Sequence, residues 1–217
     1  MSVSPTRIAI LISGRGSNCM AIIRAVRDGR LPNCEIAVVI SNIVGAPGIE
    51  AARAFNIPVV TLEGRGRKQA EHEEAVNALL QKFRADLICL AGYMRVLSAN
   101  FVREWQGKML NIHPSLLPSF PGLHAQRQAL DYGAQIAGCS VHFVDESVDG
   151  GILIVQRAID VLPTDTEATL SERILAEEHI AYVEGIRRVI SGEYEISGRR
   201  YLPRTTGPAT SEAATAR

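Results

Sequence analysis

Short, mostly apolar runs alternate with longer stretches of helical spacing through the first half of the chain. Residues 8–12 form the first run, and 35–40, 59–62, 87–90 and 109–112 repeat it. Each is of strand length, and such runs suit strands covered on both faces. Between them, residues 18–27 carry apolar side chains at helical spacing and stop at Asp28-Gly29. Pro47 opens a second helix that runs to about residue 55. Residues 69–83 form a third, with Ala75, Leu79 and Phe83 on one face.

The rhythm then changes. Residues 138–144 and 152–158 are two strand-like runs joined by a short acidic loop, which predicts an antiparallel pair. Residues 169–190 read as a long helix with Leu170, Ile174, Ala181 and Val189 among its apolar positions. The predicted architecture is a single three-layer α/β domain over residues 1–204. A mostly parallel twisted sheet carries helices on both faces through right-handed crossovers, with antiparallel strands in the C-terminal part. Residues 205–217 hold no aromatic or branched aliphatic side chain and are expected to form a disordered tail.

Composition narrows the function classes. The 217 residues carry 23 basic and 23 acidic side chains, so the formal net charge is zero. A nucleic-acid partner is not expected on that balance. No apolar run nears the roughly 18 residues of a membrane span. The five apolar residues at 8–12 are too few for a signal-peptide core, so no membrane association is expected. Cys19, Cys34, Cys89 and Cys139 make no C-x-x-C pair and no zinc spacing. They read as reduced, mostly buried thiols of a cytoplasmic protein, and no metal is expected.

Chemistry enters at two places. Gly14-Arg15-Gly16-Ser17-Asn18 lies between the first strand and the first helix. Successive backbone N–H groups there, aided by the helix N-terminus, suit a phosphate. A dinucleotide fingerprint fails, because Cys19 stands where its third glycine should be. The second strand also ends Ile40-Ser41-Asn42, without an acid for a ribose hydroxyl. There is no Gly-Lys-Ser/Thr of a Walker loop. A phosphomonoester is the simpler ligand, with a plain glycine turn as the alternative.

The second place is Asn111-Ile112-His113-Pro114, followed at a distance by Asp149-Gly150-Gly151. Strand alternation points Asn111 and His113 to one face, with Ile112 opposite. Pro114 biases His113 toward an extended backbone. An amide and an imidazole side by side suit the stabilisation of an oxyanion. A carboxylate beside the ring would favour its charged form and accept protons. A lone histidine after a strand is more often an ordinary loop or core residue, so the wider context has to carry the assignment.

That context is extensive. The stretches 12–18, 90–98, 111–118, 121–124 and 140–144, in this order, resemble the formyltransferases that use 10-formyltetrahydrofolate. The likeness is strongest to the branch that formylates glycinamide ribonucleotide in purine synthesis, and it covers residues from about Ile8 to about Tyr182. It implies catalysis by Asn111, His113 and Asp149. It implies a substrate phosphate at Gly16, Ser17 and Asn18, with Arg67 (or Arg65) beside it, and a substrate ribose at Glu178. The folate would meet Met94, Arg95, Val96 and Leu97 and the backbone at Val144 and Asp145. Read from the sequence alone, Arg67 and Glu178 are solvated charges, and Met94, Val96 and Leu97 are core. The resemblance also implies a cis Leu117–Pro118 peptide. His142 reads as a pocket-side strand residue with at most a supporting role, and His124 as a helix start. His72 and His179 read as surface or pairing residues.

Three other functions are weighed. A formyltetrahydrofolate hydrolase would carry an added N-terminal domain and a His-His-Ser-Phe-Leu-Pro loop, where this chain has His113-Pro114-Ser115-Leu116-Leu117-Pro118. A methionyl-tRNA formyltransferase would add a C-terminal RNA-binding barrel. A non-catalytic folate- or phosphate-binding module would not need Asn111, His113 and Asp149 together. Monomer and homodimer both remain open.

Overall fold

A computed structural model describes residues 4–204. The expected disordered tail at 205–217 lies outside the described residues. Elements follow in the order β1 (Thr6–Ile12), α1 (Ser17–Arg27), β2 (Cys34–Ser41), α2 (Pro47–Arg53), β3 (Val59–Thr61), α3 (Gln69–Lys82) and β4 (Leu87–Leu90). After these come α4 (Ala99–Glu104), β5 (Met109–His113), α5 (Ala125–Tyr132), β6 (Ile136–Phe143), β7 (Leu153–Asp160), α6 (Glu167–Ser191), β8 (Tyr194–Ser197) and β9 (Arg200–Pro203).

Seven strands form one sheet in the order β3-β2-β1-β4-β5-β6-β7. The pairings from β3 to β5 are parallel, and β5–β6 and β6–β7 are antiparallel. The predicted mostly parallel sheet with an antiparallel C-terminal part is therefore present. The core explains the unbroken apolar run at 8–12. Ile8, Ile10 and Ile12 face the cluster under α1 and α6, whereas Ala9 and Leu11 face the one under α3 and α4. All five are fully buried. Each large aliphatic side chain among them contributes about 1.5–3 kcal/mol on burial. A charge at Leu11 would forfeit that and leave an unpaired ion in the centre of the sheet.

The sequence pattern did not anticipate α4 or the β8–β9 hairpin, and of α5 it placed only the start. The helices α4 and α5 are six and eight residues long, too short for a sustained period. The hairpin alternates weakly, and its two-residue turn is led by Gly198 at φ +59°. Among the described residues no helix is long and apolar enough to cross a membrane.

Candidate active site

The C-terminal ends of β1, β4 and β5 lie side by side at one edge of the parallel sheet, where open α/β sheets bind ligands. A buried tyrosine on α6 fixes two of these ends. Tyr182 Oη lies 3.0 Å from the carbonyls of Leu90, the last residue of β4, and of Leu110, which precedes Asn111 in β5.

The phosphate loop follows β1. Gly16 has φ +72° and is the N-cap of α1. A Cβ there would stand 2.8 Å from the Gly48 Cα, so glycine is required by both conformation and proximity. The N–H groups of α1's first turn are left facing the loop. Asn18 is buried and its Nδ2 donates to Glu178 Oε2 at 2.7 Å, while its Oδ1 is buried without a partner. Glu178 is not the solvated charge that its local sequence suggests: it is 7% exposed. Burial pushes its carboxyl above the ordinary range, and the Asn18 amide only partly opposes this.

Ser13 joins this loop to the next. Its hydroxyl donates to Asn42 Oδ1 at 2.5 Å and accepts from the Met94 N–H at 2.8 Å, and the Ser13 N–H donates to the Gly92 carbonyl. Met94 and Val96 are 71% and 76% exposed, so the reading of these two as core is wrong; Leu97 alone packs against the core. Arg95 donates to the Gly64 carbonyl at 2.8 Å. Beneath this segment His72 is almost fully buried and shares a 2.9 Å hydrogen bond with the Tyr93 hydroxyl. Of the two expectations for His72, surface or pairing, the second holds, because α3 turns this face onto the 92–98 segment. Burial holds the His72 ring below its ordinary pKa, and the charges of Arg95 and Arg67 add to the effect. Among the described residues no side-chain hydrogen bond joins Arg67 to the phosphate loop. Glu73, also buried, accepts from the Ser98 N–H and hydroxyl.

Asn111, His113 and Asp149 converge. Asn111 Nδ2 stands 3.5 Å from Asp149 Oδ1, and His113 Nδ1 stands 3.2 Å from Asp149 Oδ2. The alternation along β5 does place both side chains on one face. His113 Nε2 is 2.9 Å from the Phe120 carbonyl. Both partners of the ring are acceptors, so a doubly protonated imidazolium satisfies both. The Gly122 N–H donates to Asp149 Oδ2 at 2.8 Å, tying the proline-rich loop to the acidic one. Burial pushes the Asp149 carboxyl up, but the His142 contact, the Gly122 N–H and the neighbouring imidazoles outweigh it. The group lies below its ordinary value. The Leu117–Pro118 peptide is cis. Ser140 Oγ donates to the Ser115 carbonyl and accepts from the Leu117 N–H, which fixes the loop's path.

His142 belongs to this cluster more closely than expected. It pairs directly with Asn111 across the antiparallel β5–β6 ladder. Its Nδ1 donates to the Phe143 carbonyl, leaving Nε2 at 3.2 Å from Asn111 Nδ2 and 3.7 Å from Asp149 Oδ1. Strand register would have found it; the sequence pattern paired β6 with β7 but not with β5. Val144 and Asp145 begin the acidic loop, where the Asp145 side chain accepts from Ser147 N–H and hydroxyl. His124 is the N-cap of α5, as expected.

Comparison with known proteins accords with this geometry. Residues 6–186 match the family described as Formyl transferase. The chain is 47% identical over 193 residues to the trifunctional purine biosynthetic protein adenosine-3 of Drosophila melanogaster, covering 88% of this chain but only 14% of that protein. It is 41% identical to the phosphoribosylglycinamide formyltransferase of Escherichia coli strain K12, covering 81% of this chain and 82% of the other. The solved glycinamide ribonucleotide transformylase 1 of Symbiobacterium toebii superposes with a TM-score of 0.90 at 44% identity, over 93% of this chain and 95% of that one. With the sheet, the loops and the sequence in agreement over most of its length, the chain belongs to the formyl transferase family.

Proposed function

We propose that the chain transfers a formyl group from 10-formyltetrahydrofolate to the primary amine of glycinamide ribonucleotide, a step of purine synthesis. The observation that carries this reading is the meeting of Asn111, His113 and Asp149 beside a phosphate-type loop at one sheet edge. The two substrates then have separate seats. The ribonucleotide phosphate takes the N–H groups of Gly16, Ser17 and Asn18, with Arg67 as a further cation, and the ribose takes Glu178. The unpartnered Asn18 Oδ1 supports a polar ligand there. The folate takes the exposed apolar Met94 and Val96, with Leu97, the Arg95 guanidinium and the backbone of Val144 and Asp145. These residues suit a flat heterocycle with an acidic tail.

The neutral amine attacks the formyl carbon, and the developing oxyanion needs donors. Asn111 supplies an amide N–H and His113 a ring N–H. For His113 to do so through Nε2, it must exchange the Phe120 carbonyl for the formyl oxygen. Asp149 keeps the imidazolium oriented through Nδ1 and is ionised across the neutral range, so it can also receive the amine's proton. Breakdown returns a proton to the departing folate nitrogen. Holding both reactants in register supplies acceleration of its own. The four cysteines are free, in keeping with a cytoplasmic enzyme.

The deciding experiment measures folate product with and without the ribonucleotide. Formyl transfer that depends on the ribonucleotide supports the reading. Equal turnover without it would make the chain a hydrolase, and binding without turnover would make it a non-catalytic module.

A further inference from the structure

The proposed chemistry makes no use of the β8–β9 hairpin, yet its tip reaches the acidic loop. Arg199, in the two-residue turn, donates from Nη2 to the Gly150 carbonyl at 2.6 Å. Gly150 directly follows Asp149, whose φ of +52° lies in a region that residues other than glycine rarely occupy. Such a conformation persists only where its surroundings hold it. The Gly150 carbonyl lies one residue beyond Asp149, so fixing it restrains the path of the chain as it leaves Asp149.

The hairpin is itself anchored. Tyr201 meets the edge of Phe143 at 5.4 Å between ring centroids, with planes at 80°. It stacks on Tyr194, and the Arg188 guanidinium of α6 covers Tyr194 at 5.5 Å. Its hydroxyl donates to the Arg188 carbonyl. Phe143 is the last residue before the acidic loop, and Gly151 is the loop's end. A Cβ on Gly151 would stand 1.7 Å from the Phe143 carbonyl oxygen, so the two ends are pinched together. The hairpin therefore touches the loop at its base through Tyr201 and beside Asp149 through Arg199. Across the loop, Arg103 of α4 pairs with Glu146 at 2.8 Å.

We propose that Arg199 is a positioning residue: it holds the Gly150 carbonyl, and through it sets the Asp149 carboxylate against His113. The hairpin is the brace that carries it. The inference rests on the role given to Asp149 above. Arg199 is exposed and remote from the core, so its loss should leave global stability almost unchanged. A small displacement of the Asp149 carboxylate is, in contrast, costly to the reaction.

The test compares the wild type with Arg199→Ala and Arg199→Lys by hydrogen exchange of the 144–151 amides in the free protein and by steady-state kinetics. In Arg199→Ala the loop amides should exchange about fivefold faster, the loss of one charge-assisted bond at an exposed site. The kcat should fall roughly tenfold and the KM for the folate rise. The KM for the ribonucleotide and the melting temperature should stay unchanged, because the phosphate loop is built on β1 and α1. Arg199→Lys, which keeps a cationic donor, should recover part of both losses. Loop amides that exchange as in the wild type would overturn the proposal, as would faster exchange with an unchanged kcat. A wild type that transfers no formyl group would instead remove the functional reading, and the exchange comparison would still decide the brace.

Discussion

Asn18 and Glu178 are 160 residues apart and hydrogen bonded, with the Asn18 amide donating to the Glu178 carboxylate at 2.7 Å and both side chains buried. The bond ties the first turn of α1 to the middle of α6, and with it the phosphate seat to the ribose seat. The two residues should therefore act as one unit. Asn18→Ala and Glu178→Ala should each raise the KM for the ribonucleotide about tenfold or more, the scale of losing a bond to a charged group. The double variant should cost less than the product of the two. Strictly multiplicative effects in the cycle would show that the two residues act independently.

The same pair predicts how stability varies with pH. Burial raises the Glu178 pKa in the folded protein above its unfolded value. Between those two values the folded state binds more protons, so this residue's contribution is fully present below the unfolded pKa and is lost as pH rises through the folded one. Glu178→Gln keeps an acceptor for Asn18 and removes the ionisation. The ligand-free variant should match the wild type near pH 4 and become progressively more stable than it as the pH rises to neutrality. Thermal melts across that range check the sign; an advantage that shrinks with rising pH would contradict it.

What the chain disclosed in advance follows from how local each signal is. β1 could be read because both of its faces are buried, so five consecutive residues had to be apolar. Asn111 and His113 could be paired because alternation along one strand fixes their common face. His142 and Tyr182 could not be placed in the same way. His142 reaches Asn111 only through the β5–β6 register, and Tyr182 reaches Leu90 and Leu110 only through the packing of α6. The pairing of His72 was left open for the same reason: its partner, Tyr93, is 21 residues away. The roles proposed for Glu178 and Arg67 came from the family resemblance, since nothing in their local sequence separates them from ordinary solvated charges.

The exposure of Met94 and Val96 gives a prediction that is independent of the catalytic cluster. Large apolar side chains 71% and 76% exposed beside a ligand edge are surfaces awaiting cover. Val96→Asp should raise the KM for the folate by roughly tenfold, since it forfeits apolar burial and adds a charge against an acidic tail. Its melting temperature should stay within experimental error of the wild type, because the side chain supports no core. A fall in stability with an unchanged folate KM would return Val96 to a purely structural part.

Asp149 decides the last prediction. Although it is largely buried, its contacts with His142, Gly122 and His113 keep its carboxyl below the ordinary range, so it is already ionised well below neutrality. It therefore cannot supply the acid limb of the rate profile. That limb belongs to the substrate amine, which must lose its proton before it attacks. Asp149→Asn should lower the transfer rate by two or more powers of ten, the scale of losing an acid–base or oxyanion-orienting group. His113→Ala and Asn111→Ala should cost about as much. The acid limb of the Asn variant, read from kcat/KM for the ribonucleotide at saturating folate, should nevertheless lie where it does in the wild type, because that ratio reports the free amine. Measuring the transfer rate from about pH 5 to 9 in both proteins separates the cases, because a directly titrating essential carboxylate is one source of an acid limb. If the limb moved or vanished on replacing Asp149, the carboxylate itself would be titrating in that range, and its hydrogen bonds would have to be broken in the working complex.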